Sequence, residues 1–231
     1  MIDVRFVDLA SAEPDEAVVV IDVLRAFTVE PWLFRQGVER ILAVADAAHA
    51  IVLRDGHLPD ALLAGEHGGR PLEGFDLGNS PTEVAGEHLL GATVIHRTSA
   101  GTQGLERTVG SRLVLAASFV TARATAAHLR AACPTRVSFV ITGASLGRDG
   151  DEDLAAAELI AARVQGFDPD PAPYLARVAT SDAGQSFVPG GPEWAPPSDL
   201  AMACEVDLFD RALAVTPSTL PHALEIVRTD H

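Results

Sequence analysis

Lysine is missing from this chain: all 17 basic residues among its 231 are arginines. That excludes Schiff-base catalysis and the lysine-bearing phosphate loop of the Walker type. Cysteine is nearly as scarce. Cys133 and Cys204 lie far apart without metal-ligand spacing, so a reducing cytoplasm is the expected compartment. Positive charge is in deficit, at a net −15. A general nucleic-acid or lipid-surface binder is thereby excluded, because phosphate backbones demand basic patches. An anionic ligand would need local arginines, helix N-termini or a cation. No apolar run approaches the length that spans a bilayer, and the opening MIDVRFVDLA carries early aspartates unlike a signal peptide. Dinucleotide fingerprints and GxSxG elbows are absent too.

What is present is ordinary globular composition, 48% apolar and 21% charged, with length enough for a real core in one unit, residues 1–231. Short apolar runs predict strands at Val4–Val7, Ala17–Ile21, Ile41–Val44, Leu62–Ala64, Thr93–His96, Leu113–Ala117 and Val137–Ile141. Between them, alanine-rich amphipathic stretches predict helices at Pro31–Gln36, Ala45–Arg54, Gly104–Val109, Thr121–Ala132 and Asp153–Val164. This alternation favours an α/β fold of three layers, α/β/α, around a mostly parallel or mixed sheet. Ser80-Pro81-Thr82-Glu83 reads as a capping box at a helix start. The last third is rich in proline and glycine, and predicts loops between short helical pieces.

Four stretches carry candidate chemistry. Asp22 and Arg25 follow the buried-looking run AVVVI, at the strand end where α/β sheets bind ligands. Asp22 suits a cation ligand or a phosphoryl acceptor, and Arg25 a phosphate clamp; a strand-end cap with its surface partner is the bland alternative. The aspartate pair of haloacid-dehalogenase phosphatases is ruled out, because Leu24 stands at the second position. The segment AGEHGGRPLEGFDLGNSP (64–81) offers Glu66 and Asp76 as oxygen ligands. Gly68 and Gly69 offer backbone N–H groups for an anion nest, and Asn79-Ser80 a helix entry. In 92–106, Arg97, Thr98, Ser99, Gly101 and Thr102 suit a phosphate cradle, or merely a capped helix. Finally, Arg148 precedes the acids Asp149, Asp151, Glu152 and Asp153 at a helix start, where the macrodipole alone favours acids.

Together these stretches resemble the 2-phosphosulfolactate phosphatase (ComB) family. The resemblance lies in VVIDVLRAFT (19–28), LLAGEHGGRPLEGFDLGNSP (62–81), TSAGT (98–102), ASFVTARA (117–124), GRDGDEDL (147–154) and the tail SDLAMACEVDLFDRALAVTP (198–217). It implies an α/β/α fold and a Mg²⁺-dependent hydrolysis of 2-phosphosulfolactate to sulfolactate and phosphate, a step of coenzyme M biosynthesis. The partner would be a small anionic phosphate ester, that one or a related phospho-hydroxy acid, and a homo-oligomer is expected. Carried over, Asp22, Arg25, Glu66, Gly68, Gly69, Asp76, Asn79, Thr98, Gly101, Thr102, Glu152 and Asp153 become site candidates. Asp22, Arg25, Glu152 and Asp153 stand as the catalytic set; Asp22, Glu66 and Asp76 as the metal ligands. Ala100, Arg97, Ser99, His67 and Thr121 depart from the family pattern. Loss of an amide at Ala100 motivates the alternative of a non-catalytic homologue that binds an anionic metabolite.

Overall fold

The computed structural model describes residues 2–145 and 147–230. The chain opens with β1 (Asp3–Asp8), β2 (Ala17–Ile21), α1 (Ala26–Arg35), β3 (Arg40–Ala43), α2 (Ala47–His57) and β4 (Leu62–His67). It continues through β5 (Arg70–Pro71), α3 (Pro81–Ala85), β6 (Thr93–Arg97), α4 (Gly101–Arg107), β7 (Leu113–Ala117) and α5 (Ala122–Ala132). The last part holds β8 (Arg136–Ile141), α6 (Asp151–Val164), α7 (Ala172–Thr180), α8 (Pro197–Ala203), β9 (Leu213–Pro217) and β10 (Leu224–Arg228).

The strands form one mixed sheet in the order β1-β8-β2-β7-β9-β10-β3-β6-β4-β5. Two parallel blocks, β1-β8-β2-β7 and β3-β6-β4, are joined by the antiparallel pair β9–β10. Strand alternation divides the core in two, and β2 shows it directly. Val18 and Val20 join α1 and α4 on one face, while Ala17, Val19 and Ile21 join α5 and α6 on the other. With α2 packed under β3, β4 and β6, the result is the three-layer α/β fold expected.

Passage through three antiparallel pairings makes the two blocks run in opposite directions. Six steps separate β2 from β4, and a twist of about 20–25° per step accumulates to roughly 120–150°. The sheet therefore curls around α1 and α4, and the loops after β2 and β8 meet the ends of β4 and β6.

Several boundaries differ from the sequence expectation. Helix α1 begins at Ala26 rather than Pro31, so Pro31 lies inside it. An internal proline removes the N–H that would serve the carbonyl four residues back, here Phe27. Ser118 Oγ donates to that carbonyl instead, at 3.0 Å. Strand β4 runs three residues further than expected, so Glu66 lies within it. Ser80 does cap α3, accepting from Glu83 N–H at 3.2 Å. The Glu83 carboxylate, however, takes Gly78 N–H at 3.0 Å, where a capping box would have it turn to Ser80. The hairpin β9–β10, read as irregular from sequence, is the centre of the sheet. Its strands are only five residues each and half-buried, so they lack the apolar runs that mark β2 and β7. Among the described residues no helix is long and apolar enough to cross a membrane.

The Ser118 bond to α1 has a measurable consequence. Replacing Ser118 with Ala leaves the buried Phe27 carbonyl unpaired, a loss of about 1–3 kcal/mol. Urea unfolding should register that loss as a lower midpoint with an unchanged slope; an unchanged midpoint would contradict the repair.

Candidate active site

Strand β2 is fully buried, and Asp22 is the first polar residue after it. Its backbone and side chain both start α1: the carbonyl accepts from Phe27 N–H at 3.1 Å and Oδ1 from Ala26 N–H at 3.0 Å. Oδ2 takes no hydrogen bond from a described residue and faces Gly101, where a Cβ would sit 2.8 Å from it. Glycine at 101 is thus what lets α4 approach the carboxylate. Asp22 lines a cleft of about 240 Å³ together with Arg25, Glu66, Gly68, Gly69, Asn79, Ser99, Ala100 and Arg148.

Two buried acids from the start of α6 lie alongside. Asp153 is a brace: Oδ1 accepts from Val23 N–H at 2.7 Å, and Oδ2 from Gly143 N–H at 2.6 Å and Thr142 Oγ1 at 3.1 Å. It ties the loop after β2 to the loop after β8. Glu152 Oε2 is buried with no partner among the described residues. Burial first, then like charge, pushes these acids up. Asp22 rises to about 7, through burial and the charges of Glu66 and Glu152, opposed by Ala26 N–H and Arg148. Burial raises Glu152, and burial with Glu152 and Asp22 raises Asp153 against the hydrogen bonds it accepts from Val23 and Gly143 N–H. Arg148 is exposed and lines the cleft, and its guanidinium makes no hydrogen bond or ion pair with a described residue. Sequence placed it in this loop without a role.

Other expected residues hold the cleft's shape. Glu66 is itself the anion bound by the glycine turn: it accepts from Gly69 N–H at 2.6 Å, Ser99 N–H at 2.5 Å and Ser99 Oγ at 3.2 Å. Gly68 N–H goes to Ser99 Oγ at 3.0 Å. The expected open anion nest at Gly68–Gly69 is therefore already filled from within. Arg25 is buried and committed: Nη1 donates to Trp194 O at 2.7 Å and Asp199 Oδ2 at 2.6 Å, and Nη2 to Gly69 O at 3.0 Å. Asp199 Oδ1 in turn accepts from Ser80 Oγ at 2.7 Å and Thr82 N–H at 3.1 Å. Ser80 thus serves α3 and Asp199 and lines an adjoining cavity, not this cleft.

Three expectations are corrected by position. Asp76 is not brought to Asp22 and Glu66; it accepts from Leu63 N–H at 2.8 Å and lies 4.0 Å from Arg54, shaping the turn that follows β4. Among the described residues no three His, Cys, Asp or Glu side chains form a group able to hold a metal ion. Arg97 reaches Glu66 O at 2.7 Å and Ala45 O at 3.2 Å, away from the cleft. Thr98 and Thr102 bond each other reciprocally at 3.0 and 3.1 Å to start α4. Asp182, Ser186, Phe187 and Trp194 complete the cleft wall and were not anticipated, since proline- and glycine-rich sequence gives no periodic signal. Phe187 stacks under the Arg25 guanidinium, 5.2 Å away.

The raised acid at Asp22 makes stability fall with pH. Its folded value lies above an unfolded one of about 4, so between those values the folded state binds more protons and loses stability as pH rises. Asp22→Asn should therefore unfold at a higher temperature than the wild type at pH 7.5, with the gap closing by pH 4.5. Parallel curves across that range would rule the shift out.

Comparison with known proteins assigns the chain a family. The family model described as 2-phosphosulpholactate phosphatase matches residues 6–186. A Deinococcus radiodurans protein named probable 2-phosphosulfolactate phosphatase is 42% identical over 149 residues, 64% of this chain and 61% of that one. A Bacillus subtilis protein of the same name is 34% identical over 156 residues, 68% of this chain and 67% of that one. One from Synechococcus sp. (strain RCC307) is 38% identical over 152 residues, 65% and 62%. The chain thus matches roughly three-fifths to two-thirds of each relative's length, and it belongs to the 2-phosphosulfolactate phosphatase family.

Proposed function

We propose that this protein is a Mg²⁺-dependent phosphatase that hydrolyses a small, strongly anionic phosphate monoester, either 2-phosphosulfolactate or a related phospho-hydroxy acid. One observation carries the reading. Two buried carboxylates, Asp22 and Glu152, act on each other electrostatically, and each has an oxygen that no described residue bonds. Beside them stands Arg148, a guanidinium with no ion-pair partner among the described residues.

That donor set fits magnesium, which takes hard oxygen ligands, often only one or two carboxylates, with waters and substrate phosphate completing its shell. Asp22 and Glu152 would hold it, and Glu66 Oε1, with a single hydrogen bond from Ser99 N–H, stands in reserve. Bound there, the cation supplies charge neutralisation of the ester and a lowered pKa for water.

The chain's own residues do the rest. Arg148 meets phosphoryl oxygens, where a charged bidentate donor stabilises charge in the transition state. The wall of Phe187 and Trp194 excludes water from the cleft and gives the ester's carbon skeleton an apolar side. Arg25 is a positioning residue: it joins the loop of Trp194, Gly69 and Asp199. In this reading the enzyme works in the cytoplasm as a homo-oligomer. The names borne by the relatives support the phosphatase class.

A screen of small carboxylated and sulfonated phosphate esters tests it. Phosphate release should require Mg²⁺ and stop with EDTA, and Arg148→Ala should lower kcat/KM by about 10–150-fold, the loss of one charged hydrogen bond. Tight ligand binding with no release from any ester would leave a binding protein in place of an enzyme. Rapid quenching with a labelled ester separates attack by water, which leaves the protein unlabelled, from attack by Asp22, which labels it during turnover.

A further inference from the structure

Behind the cleft lies a line of buried polar groups that the proposed chemistry does not use. His96 in β6 and Glu30 in α1 have no exposed surface, and Asn79 is buried at the cleft wall. His96 Nδ1 lies 3.0 Å from Glu30 Oε1, and Nε2 lies 3.1 Å from Asn79 Oδ1. Glu30 Oε2 has no partner among the described residues.

Two directions of hydrogen bonding are open to such a chain, and they point the Asn79 amide in opposite ways. If Nδ1 carries the proton, Glu30 is an ionised carboxylate and Nε2 an acceptor, which calls for the Asn79 amide to turn its NH₂ inward. That arrangement buries a full negative charge with one oxygen unserved, the most expensive form of an unsatisfied polar group. If Glu30 is instead the neutral acid, its O–H donates to Nδ1. Nε2 then carries the ring proton and donates to Asn79 Oδ1. Burial raises Glu30 in the same direction. The amide NH₂, which finds no acceptor among the described residues, is left for the cleft.

We infer that Glu30 and His96 are positioning residues that lock the Asn79 carboxamide with its NH₂ toward the cleft, as a donor to an oxygen of the anionic substrate. This deepens the phosphatase reading and rests on it. A fully buried Glu–His pair is costly for a fold to keep, and fixing one amide gives it a use. Asn79 also borders the adjoining cavity of about 670 Å³, beyond Arg25 and Trp194. Its donor stands at the junction of the two spaces, where the ester's phosphoryl and acid ends would part.

The test has an arm that needs no turnover. Nitrogen resonances of His96 in the labelled full chain should show the ring proton on Nε2. Adding inorganic phosphate with Mg²⁺ should shift the Asn79 side-chain NH₂ signals. A neutral ring protonated at Nδ1, whose bare Nε2 would call for the Asn79 NH₂ to turn inward, overturns the inference. The kinetic arm is a double-mutant cycle. Asn79→Ala and Glu30→Ala should each lower kcat/KM by about ten- to a hundredfold, and Glu30→Gln, whose amide N–H still reaches Nδ1, should recover most of the second loss. In the Asn79→Ala background Glu30→Ala should cost little more; additive losses overturn the positioning role. If the wild type released phosphate from no ester, the phosphatase reading would fall, while the ring tautomer would still decide the orientation of Asn79.

Discussion

Like charges held out of water are the constraint around which this molecule is arranged. Asp22, Glu152 and Asp153 are buried together, with Glu66 close enough for its charge to act on Asp22. Each acid has its own remedy. Asp153 is met by three donors, and Glu66 by the turn at Gly69 and Ser99. Asp22 and Glu152 are met only in part, and at neutral pH protons or a cation must make up the difference. Of these two, Asp22 lines the cleft and Glu152 lies buried where its charge acts on Asp22, and unsatisfied acids of this kind are the usual mark of a working site.

A second electrostatic device keeps the cleft in shape. Arg25 and Asp199 form an ion pair with almost no exposed side-chain surface. A buried pair of this kind does not add much net stability, yet removing one partner strands the other. Here each partner also serves several backbone and side-chain groups. The pair therefore draws together four parts of the chain: the loop after β2, the glycine turn after β4, the start of α3, and α8. Trp194 rests on Gly69, where a Cβ would come within 2.5 Å of the indole. Glycine there is a packing requirement, and the aromatic wall depends on it.

Much of this was legible in the sequence, for identifiable reasons. Strands β2 and β7 announce themselves as unbroken apolar runs and fall where expected. Asp22, Glu66 and Ser99 lie at or beside strand ends, and the fold brings all three to one cleft. Expectation and structure part where residue type is right and side-chain direction is hidden. Arg97 and Asp76 have the chemistry of a site but point into local backbone, and the Gly68–Gly69 turn binds the chain's own carboxylate. No spacing rule separates those outcomes. Asp199 and Trp194 were beyond reach for another reason: their partners, Arg25, Gly69, Ser80 and Thr82, are distant in sequence and meet them only in the folded chain. Pro31 misled as well, because its cost to α1 is repaired from another strand's loop by Ser118.

In the proposed function, the proton on Asp22 and the magnesium compete for the same carboxylate. Calorimetric titration of Mg²⁺ in buffers of different ionisation enthalpy measures the protons released on binding. Binding should tighten as pH rises, with about one proton released near pH 6 and almost none near pH 8.5, on either side of the Asp22 value of about 7. Binding that releases no proton at pH 6, with an affinity indifferent to pH, would contradict it.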